Sequence, residues 1–328
     1  MSIFSNSSGN NPLAGIFLLV FALFLFSLQD VVIKFFSDQY SVLQIVFVRG
    51  VIAGSLMYIA ACLFGNRQQL VPNRPLLSTV RGLLGFTSYT SYYLAVASLP
   101  LAEVVAIVFT APLFVTVMSG MLLREKVGIR RWSAVLVGFV GILIMLGPSG
   151  QFDQLGVILS LVSAVSYASQ SILTRYLSAD HSPLSLSFSI TVIFTLTSGI
   201  LSLMMLGGLI TLESSHPSLA FLMRDWEVPN ALGLTLMIFL GFNGALAFYS
   251  MSKAYCVAPA STIAPFEYTY MIWAVVFGYL LWTEIPRATT LLGMSILVAS
   301  SLYIWQRERW LARNSRVLSP IESGHQLT

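Results

Sequence analysis

Residues 82–125, GLLGFTSYTSYYLAVASLPLAEVVAIVFTAPLFVTVMSGMLLRE, align without a gap on residues 241–284, GFNGALAFYSMSKAYCVAPASTIAPFEYTYMIWAVVFGYLLWTE. Gly82 falls on Gly241, Gly85 on Gly244, Ser91 on Ser250, Ala95 on Ala254, Pro100 on Pro259, Thr110 on Thr269 and Glu125 on Glu284, at a constant offset of 159. A shorter match lies upstream. LQDVVIKFFS at 28–37 and SQSILTRYLS at 169–178 share Gln29/Gln170, the cations Lys34/Arg175 and Ser37/Ser178, at an offset of 141. The longer connection around 208–229, against 65–75, accounts for most of the difference between the offsets. The chain is one design written twice.

What is repeated is apolar. The 328 residues are 56% hydrophobic and only 9% charged, with a mean hydropathy of +0.83. A soluble domain carries roughly 25% charged residues, so the composition specifies an all-α polytopic membrane protein. A spanning helix needs roughly 20 apolar residues. Ten candidate runs meet that need, at about 13–36, 41–64, 76–97, 101–123 and 131–148, then 154–177, 184–207, 230–251, 258–282 and 288–306. Each half holds five, an odd number, so the second half enters the membrane upside down. The predicted fold is ten transmembrane helices as two inverted five-helix repeats, the architecture of secondary transporters.

The expected organisation is a cytoplasmic amino-terminal tail at 1–12, a first repeat at 13–148, a second at 154–306 and a basic cytoplasmic tail at 307–328. Orientation follows the bias of Lys and Arg toward cytoplasmic loops. With both termini inside, twelve of these cations fall on the cytoplasmic side and three, Lys34, Arg224 and Arg287, outside. The net charge of +4 is then an orientation signal and not the footprint of nucleic-acid binding. The tail QRERWLARNSR is expected to lie against anionic lipid headgroups. Cys62 and Cys256 form no metal or redox spacing, and His181, His216 and His325 are scattered. No catalytic residues, metal or cofactor are expected. The polar, cation-free MSIFSNSSGNNP does not read as a signal peptide.

The inverted halves, Pro100–Leu101–Ala102–Glu103, the run FTAPLF at 109–114, Glu125 closing the fourth span and PFEYTYMIWAVVFGYLLWTEIP at 265–286 resemble the drug/metabolite transporter superfamily, and within it the EamA family. Arg49–Gly50, Arg81–Gly82, FTAPLF and PFEYT are most similar to the subgroup for S-adenosylmethionine or riboflavin uptake. The resemblance implies a carrier, proton-coupled or energy-independent, in a bacterial inner membrane, with no ATP hydrolysis. Its partners would be a small-molecule metabolite, membrane lipids, protons as candidate coupling ion and a second copy as candidate dimer partner.

A charge at the bilayer centre costs at least ~2.5–3.5 kcal/mol, so each intramembrane charge asks for a partner or a function. Arg49, inside VFVRGVI, suits a substrate carboxylate or phosphate, or else a salt bridge to Asp30 or Glu103. Glu267, whose counterpart is the apolar Val108, is a candidate for a substrate amine or a proton; the structural alternative is a pair with Arg49 or Arg81. Gln29 and Gln170 sit about a turn inside matching span ends, where amides seek partners in the bundle. Glu103 is a candidate binding residue or a helix-dipole anion. Tyr89, Tyr93 and Tyr268 can stack on a planar or cationic ligand, or serve as packing. Asp30 and Lys34 have the spacing of an intrahelical ion pair, and Arg81 can snorkel to the membrane surface. Glu125 and Glu284 read as loop-side residues. The function these residues suggest is alternating-access transport of a small polar or zwitterionic metabolite, with an amino-acid or drug exporter as the alternative.

Overall fold

A computed structural model describes residues 12–64, 70–111, 113–114, 117–118, 129–146, 153–177, 181–209, 215–257, 264–299, 302–303 and 306. Glu125, Pro112, Pro259 and the terminal tails lie outside these residues, as do the side chains of Arg175 and Pro265. The described chain is helical, with no strand. Its helices are α1 Pro12–Phe36, α2 Val42–Phe64, α3 Pro75–Val96, α4 Leu101–Val108, α5 Ile129–Leu146, α6 Gln154–Leu177, α7 Pro183–Leu206, α8 Pro217–Met223, α9 Ala231–Val257, α10 Thr269–Trp282 and α11 Ala288–Ala299. A 3₁₀ turn, Ala264–Tyr268, runs directly into α10.

Among the described residues five helices, α1, α2, α6, α7 and α9, are long and apolar enough to cross a membrane. Large apolar side chains such as Leu63, Leu203, Leu206, Ile272 and Leu280 lie exposed along the helices, as lipid contact requires. The protein is an integral membrane protein. α3 fails the hydropathy test for a physical reason: Ser78, Arg81, Ser88, Thr90, Ser91, Tyr92 and Tyr93 are all buried in the bundle and not turned to lipid. A helix screened by its neighbours can be polar. α4 and α10 fail because they are short. α4 ends at Phe109 and the chain turns through Thr110 before helix resumes, while α10 begins only after the 3₁₀ turn.

Helix starts follow ordinary capping chemistry. The carboxylate of Asp153 accepts from Gly156 N at 2.8 Å, Ser182 Oγ from Ser185 N at 3.1 Å and Asn230 Oδ1 from Gly233 N at 2.7 Å. Each satisfies an amide that the helix leaves without a partner. α10 stops at Thr283 with φ 52°, the left-handed region that glycine usually fills at this position; Thr283 N reaches Tyr279 O and Glu284 N reaches Gly278 O, both at 3.0 Å.

The packing is arranged in matched pairs. α3 lies on α6 and α9 on α1; α3 touches α7 and α9 touches α2; α4 touches α6 and α10 touches α1. α2 crosses α7, and α4 crosses α10. At the close approaches the match extends to single residues. A Cβ on Gly82 would come within 2.7 Å of the Ile193 side chain, and one on Gly241 within 2.5 Å of Ile52. A Cβ on Gly85 would meet Gln170 Oε1 at 2.7 Å, and one on Gly244 would lie 3.6 Å from Gln29 Oε1. In the crossing of α2 and α7, Gly50 abuts Thr195 while Gly54 abuts Thr191. These partners are related by the sequence offsets of 159 and 141.

Candidate functional site

Deep in the bundle α1, α2, α3 and α10 bring their polar residues to one place. Asp30, 2% exposed, accepts hydrogen bonds from three phenols. Tyr93 donates to Oδ1 at 2.7 Å, Tyr92 donates to Oδ2 at 2.8 Å, and Tyr270 also donates to Oδ2. Three donors replace the water that a carboxylate loses on burial. Beside it Gln29 Nε2 donates to the Tyr93 hydroxyl at 3.0 Å, and Gln29 Oε1 accepts from Arg49 Nη1 at 2.6 Å. The Arg49 guanidinium lies 4.0 Å from the centroid of the Tyr89 ring, and its charge reaches Asp30. A buried cation and anion are thus joined through one amide and one phenol, Gln29 and Tyr93, with aromatic rings closing the space around them.

Four of the predicted residues, Gln29, Arg49, Tyr89 and Tyr93, meet here. Tyr268 packs on Phe109 at 5.6 Å between ring centroids, and Phe109 stacks on Tyr270 at 5.8 Å. Phe109 and Tyr268 are counterparts at offset 159, so the two interrupted helices touch at their interruptions. Glu267 lies half-buried in the 3₁₀ turn one turn before Tyr270, close enough to α6 for its charge to act on Tyr167. Gln170 stands apart from the Asp30 group, against Gly85. Arg49 also opens onto a small cavity lined by Gly50, Ile190, Phe194, Gly244 and Phe248.

Other expectations are corrected. Asp30 and Lys34 do not pair. Lys34 Nζ binds Glu284 Oε1 at 2.5 Å and sits 4.9 Å from the Trp282 ring centroid. Lys34 lies a turn closer to the helix end, where Glu284, presented by the Thr283 turn, is within reach. Glu103 is not part of the Asp30 group and does not meet Arg49. It lies at the Lys34 end of the bundle, 3.5 Å from Arg287 Nε, while Glu284 Oε2 accepts from Leu101 N at 3.1 Å. Glu284 is therefore more than a loop-side residue: it ties α1 to α4. Arg81 does not snorkel. Only 3% exposed, it turns inward to Leu186 O at 2.5 Å and Ser189 Oγ at 3.0 Å on α7, because a carbonyl and a hydroxyl there replace its hydration.

Sequence reasoning counted Tyr92 and Tyr270 only among the intramembrane rings that could stack on a ligand, and Asp30 only as an ion-pair partner of Lys34 or Arg49; it assigned none of the three to the site. A signal was present. At the two offsets Asp30 falls on Ser171, Arg49 on Ile190, Tyr92 on Met251, Tyr93 on Ser252 and Tyr270 on Ala111. Gln29/Gln170 apart, the repeat loses its likeness where the polar group is built.

A model of the EamA-like transporter family matches residues 13–147 and again residues 154–306. The chain is 24% identical to an S-adenosylmethionine uptake transporter of Rickettsia prowazekii over 93% of its own length and 96% of the relative's. It is 32% identical to a riboflavin transporter of Vibrio cholerae over 66% of each, and 27% identical to a pseudopaline exporter of Pseudomonas aeruginosa over 88% of its own length and 95% of the exporter's. A solved crystal structure with 14% identity superposes at a TM-score of 0.58, covering 89% of this chain and 98% of that one, which shows a shared fold.

Proposed function

The chain belongs to the EamA-like transporter family, and from that premise we propose that it carries a small polar or zwitterionic metabolite across a bacterial inner membrane by alternating access between two inverted five-helix halves. The distribution of Lys and Arg supports a cytoplasmic position for both termini. The matched packings, and the contacts that repeat at offsets 159 and 141, support the inversion. In inverted-repeat carriers the substrate site lies where interrupted helices of the two halves meet, which supports a site beside the Phe109–Tyr268 contact.

The observation that carries this reading is the buried Asp30–Gln29–Arg49 group with its four tyrosines. Charges are kept inside a membrane bundle at a cost, and opposite charges held a short distance apart match the ends of a zwitterion. Arg49, Gln29, Tyr89 and Tyr93 are assigned to the substrate, joined by Asp30, Tyr92 and Tyr270. Glu267, Tyr268 and Gln170 are assigned to the same route. The metabolites named for the relatives, S-adenosylmethionine and riboflavin, are the first substrates to test, with amino acids beside them.

The test is counterflow into proteoliposomes loaded with each compound. One class should accumulate with saturable kinetics. Arg49→Ala and Glu267→Gln should abolish accumulation while the purified variants unfold as single species. Flux that never saturates would overturn the carrier reading, and wild-type transport in either variant would remove that residue from the mechanism.

A further inference from the structure

We propose that the bundle holds a monovalent inorganic anion of chloride size between Arg81, Ser78 and Ser185, where α3 and α7 begin and α6 ends. The site is separate from the Asp30–Arg49 group and does not depend on which metabolite is carried. The three helix ends meet there: Asn73 N donates to His181 Nε2 at 3.0 Å, and His181 Nδ1 lies 2.9 Å from Leu177 O.

Among the described residues Arg81 is a buried cation with no carboxylate paired to it. Its guanidinium stays charged in a protein, and a charge taken out of water is costly unless an opposite charge goes with it. Its contacts are neutral: Nη2 donates to Leu186 O and Ser189 Oγ, and Nη1 lies 3.4 Å from Thr174 Oγ1. Nε is buried and makes no hydrogen bond among the described residues, and neither do the buried hydroxyls of Ser78 and Ser185. Elsewhere in the bundle buried hydroxyls return their proton to a carbonyl one turn back, Ser160 to Gly156, Thr191 to Ser187 and Ser198 to Phe194. Ser78 lies three residues before Arg81 on α3, and a helical side chain leans toward the amino terminus. Ser185 adjoins Leu186, whose carbonyl receives Arg81. Three donors thus stand ready around one positive charge.

The repeat shows that packing alone does not call for this polarity. At offset 159 Ser78 and Arg81 fall on Met237 and Leu240, and at offset 141 Thr174 and Leu186 fall on Ile33 and Ile45. All four counterparts are buried and apolar, so the matched joint of α9 with α1 and α2 closes without a cation. One guanidinium balances one negative charge, which selects a monovalent anion over a dianion. An N–H and two hydroxyls replace the hydration of that anion by charge-assisted bonds, and the amino-terminal ends of α3 and α7 turn their amide dipoles to the same side. Protein atoms cover the three donors, so the starts of α3 and α7 must part to admit the anion and are drawn together by it afterwards. Anion binding is thereby linked to closure of this end of the bundle.

The experiment is thermal unfolding of the purified full-length protein in mixtures of sodium chloride and sodium gluconate at constant ionic strength. Chloride should raise the midpoint along a saturable curve, because a ligand of the folded state stabilises it by mass action. Arg81→Leu, which copies the counterpart Leu240, should fold and lose the chloride response. Ser78→Ala combined with Ser185→Ala keeps the guanidinium and should need at least about tenfold more chloride for half the effect. Equal wild-type midpoints in chloride and gluconate overturn the proposal and need no variant to be folded. A rise that never saturates, or one that Arg81→Leu retains, means an adventitious ion only and overturns it too. Stabilisation by inorganic phosphate or by anionic lipid vesicles, with none by chloride, overturns it as well. Each of these outcomes leaves the transporter reading intact.

Discussion

At the level of single residues, the buried carboxylate of Asp30 shows how pairing rules and environment compete. The four-residue spacing to Lys34 satisfies the helical ion-pair rule, yet Asp30 takes three phenols and Lys34 takes Glu284. A surface rule worth a few tenths of a kcal/mol yields to partners that each replace water at a buried charge. Tyr270→Phe tests this. It removes a donor to a charged acceptor, which costs ~1.5–3 kcal/mol, while keeping the ring that stacks on Phe109. The variant should lower thermal stability in detergent by that amount; an unchanged midpoint would show that the third phenol is redundant. The need for partners at Arg49 and Gln29 was legible in the sequence, because an intramembrane guanidinium and amide demand them. Which partners was not legible, since they come from helices distant along the chain.

At the level of helices, likeness and unlikeness between the halves carry different information. Gly82/Gly241 and Gly85/Gly244 are alike because a helix must approach closely at each, and the structure places Ile193 and Ile52, Gln170 and Gln29 against them. Those positions are scaffold, and sequence comparison found them. Asp30, Tyr92 and Tyr270 have no likeness across the repeat, so the same comparison passed over them. The contrast between two glycines is a direct test. Gly241→Ala pushes a methyl to within 2.5 Å of Ile52 and should cost ~1–3 kcal/mol by overpacking. Gly54→Ala meets only Thr191 Cγ2 at 3.7 Å, an ordinary contact, and gains ~1 kcal/mol of helix propensity. Thermal unfolding of the two variants should move in opposite directions or nearly so; equal losses would mean that α2 and α9 are not in the described contact.

At the level of the molecule, the Lys34 end is drawn shut. Lys34–Glu284 joins α1 to the end of α10, Glu284 accepts from the first amide of α4, and Glu103 meets Arg287 just before α11. If access alternates, this end must open in each cycle. Cysteines at Lys34 and Glu284, joined by a bifunctional thiol reagent with a cleavable linker, should stop transport in proteoliposomes, and cleavage of the linker should restore it. Transport that continued through the cross-linked form would rule out motion at this end.

The contact of Gly82 with Ile193 and that of Gly241 with Ile52 are one joint made twice, its members related by the offsets that relate the two halves. Once both copies reside in a single chain, nothing obliges them to stay identical. Ile52 can change without Ile193, and Gly85 without Gly244. If the halves are inverted and access alternates, the two contacts can be tuned separately, and their relative stiffness would set the side on which the empty molecule comes to rest.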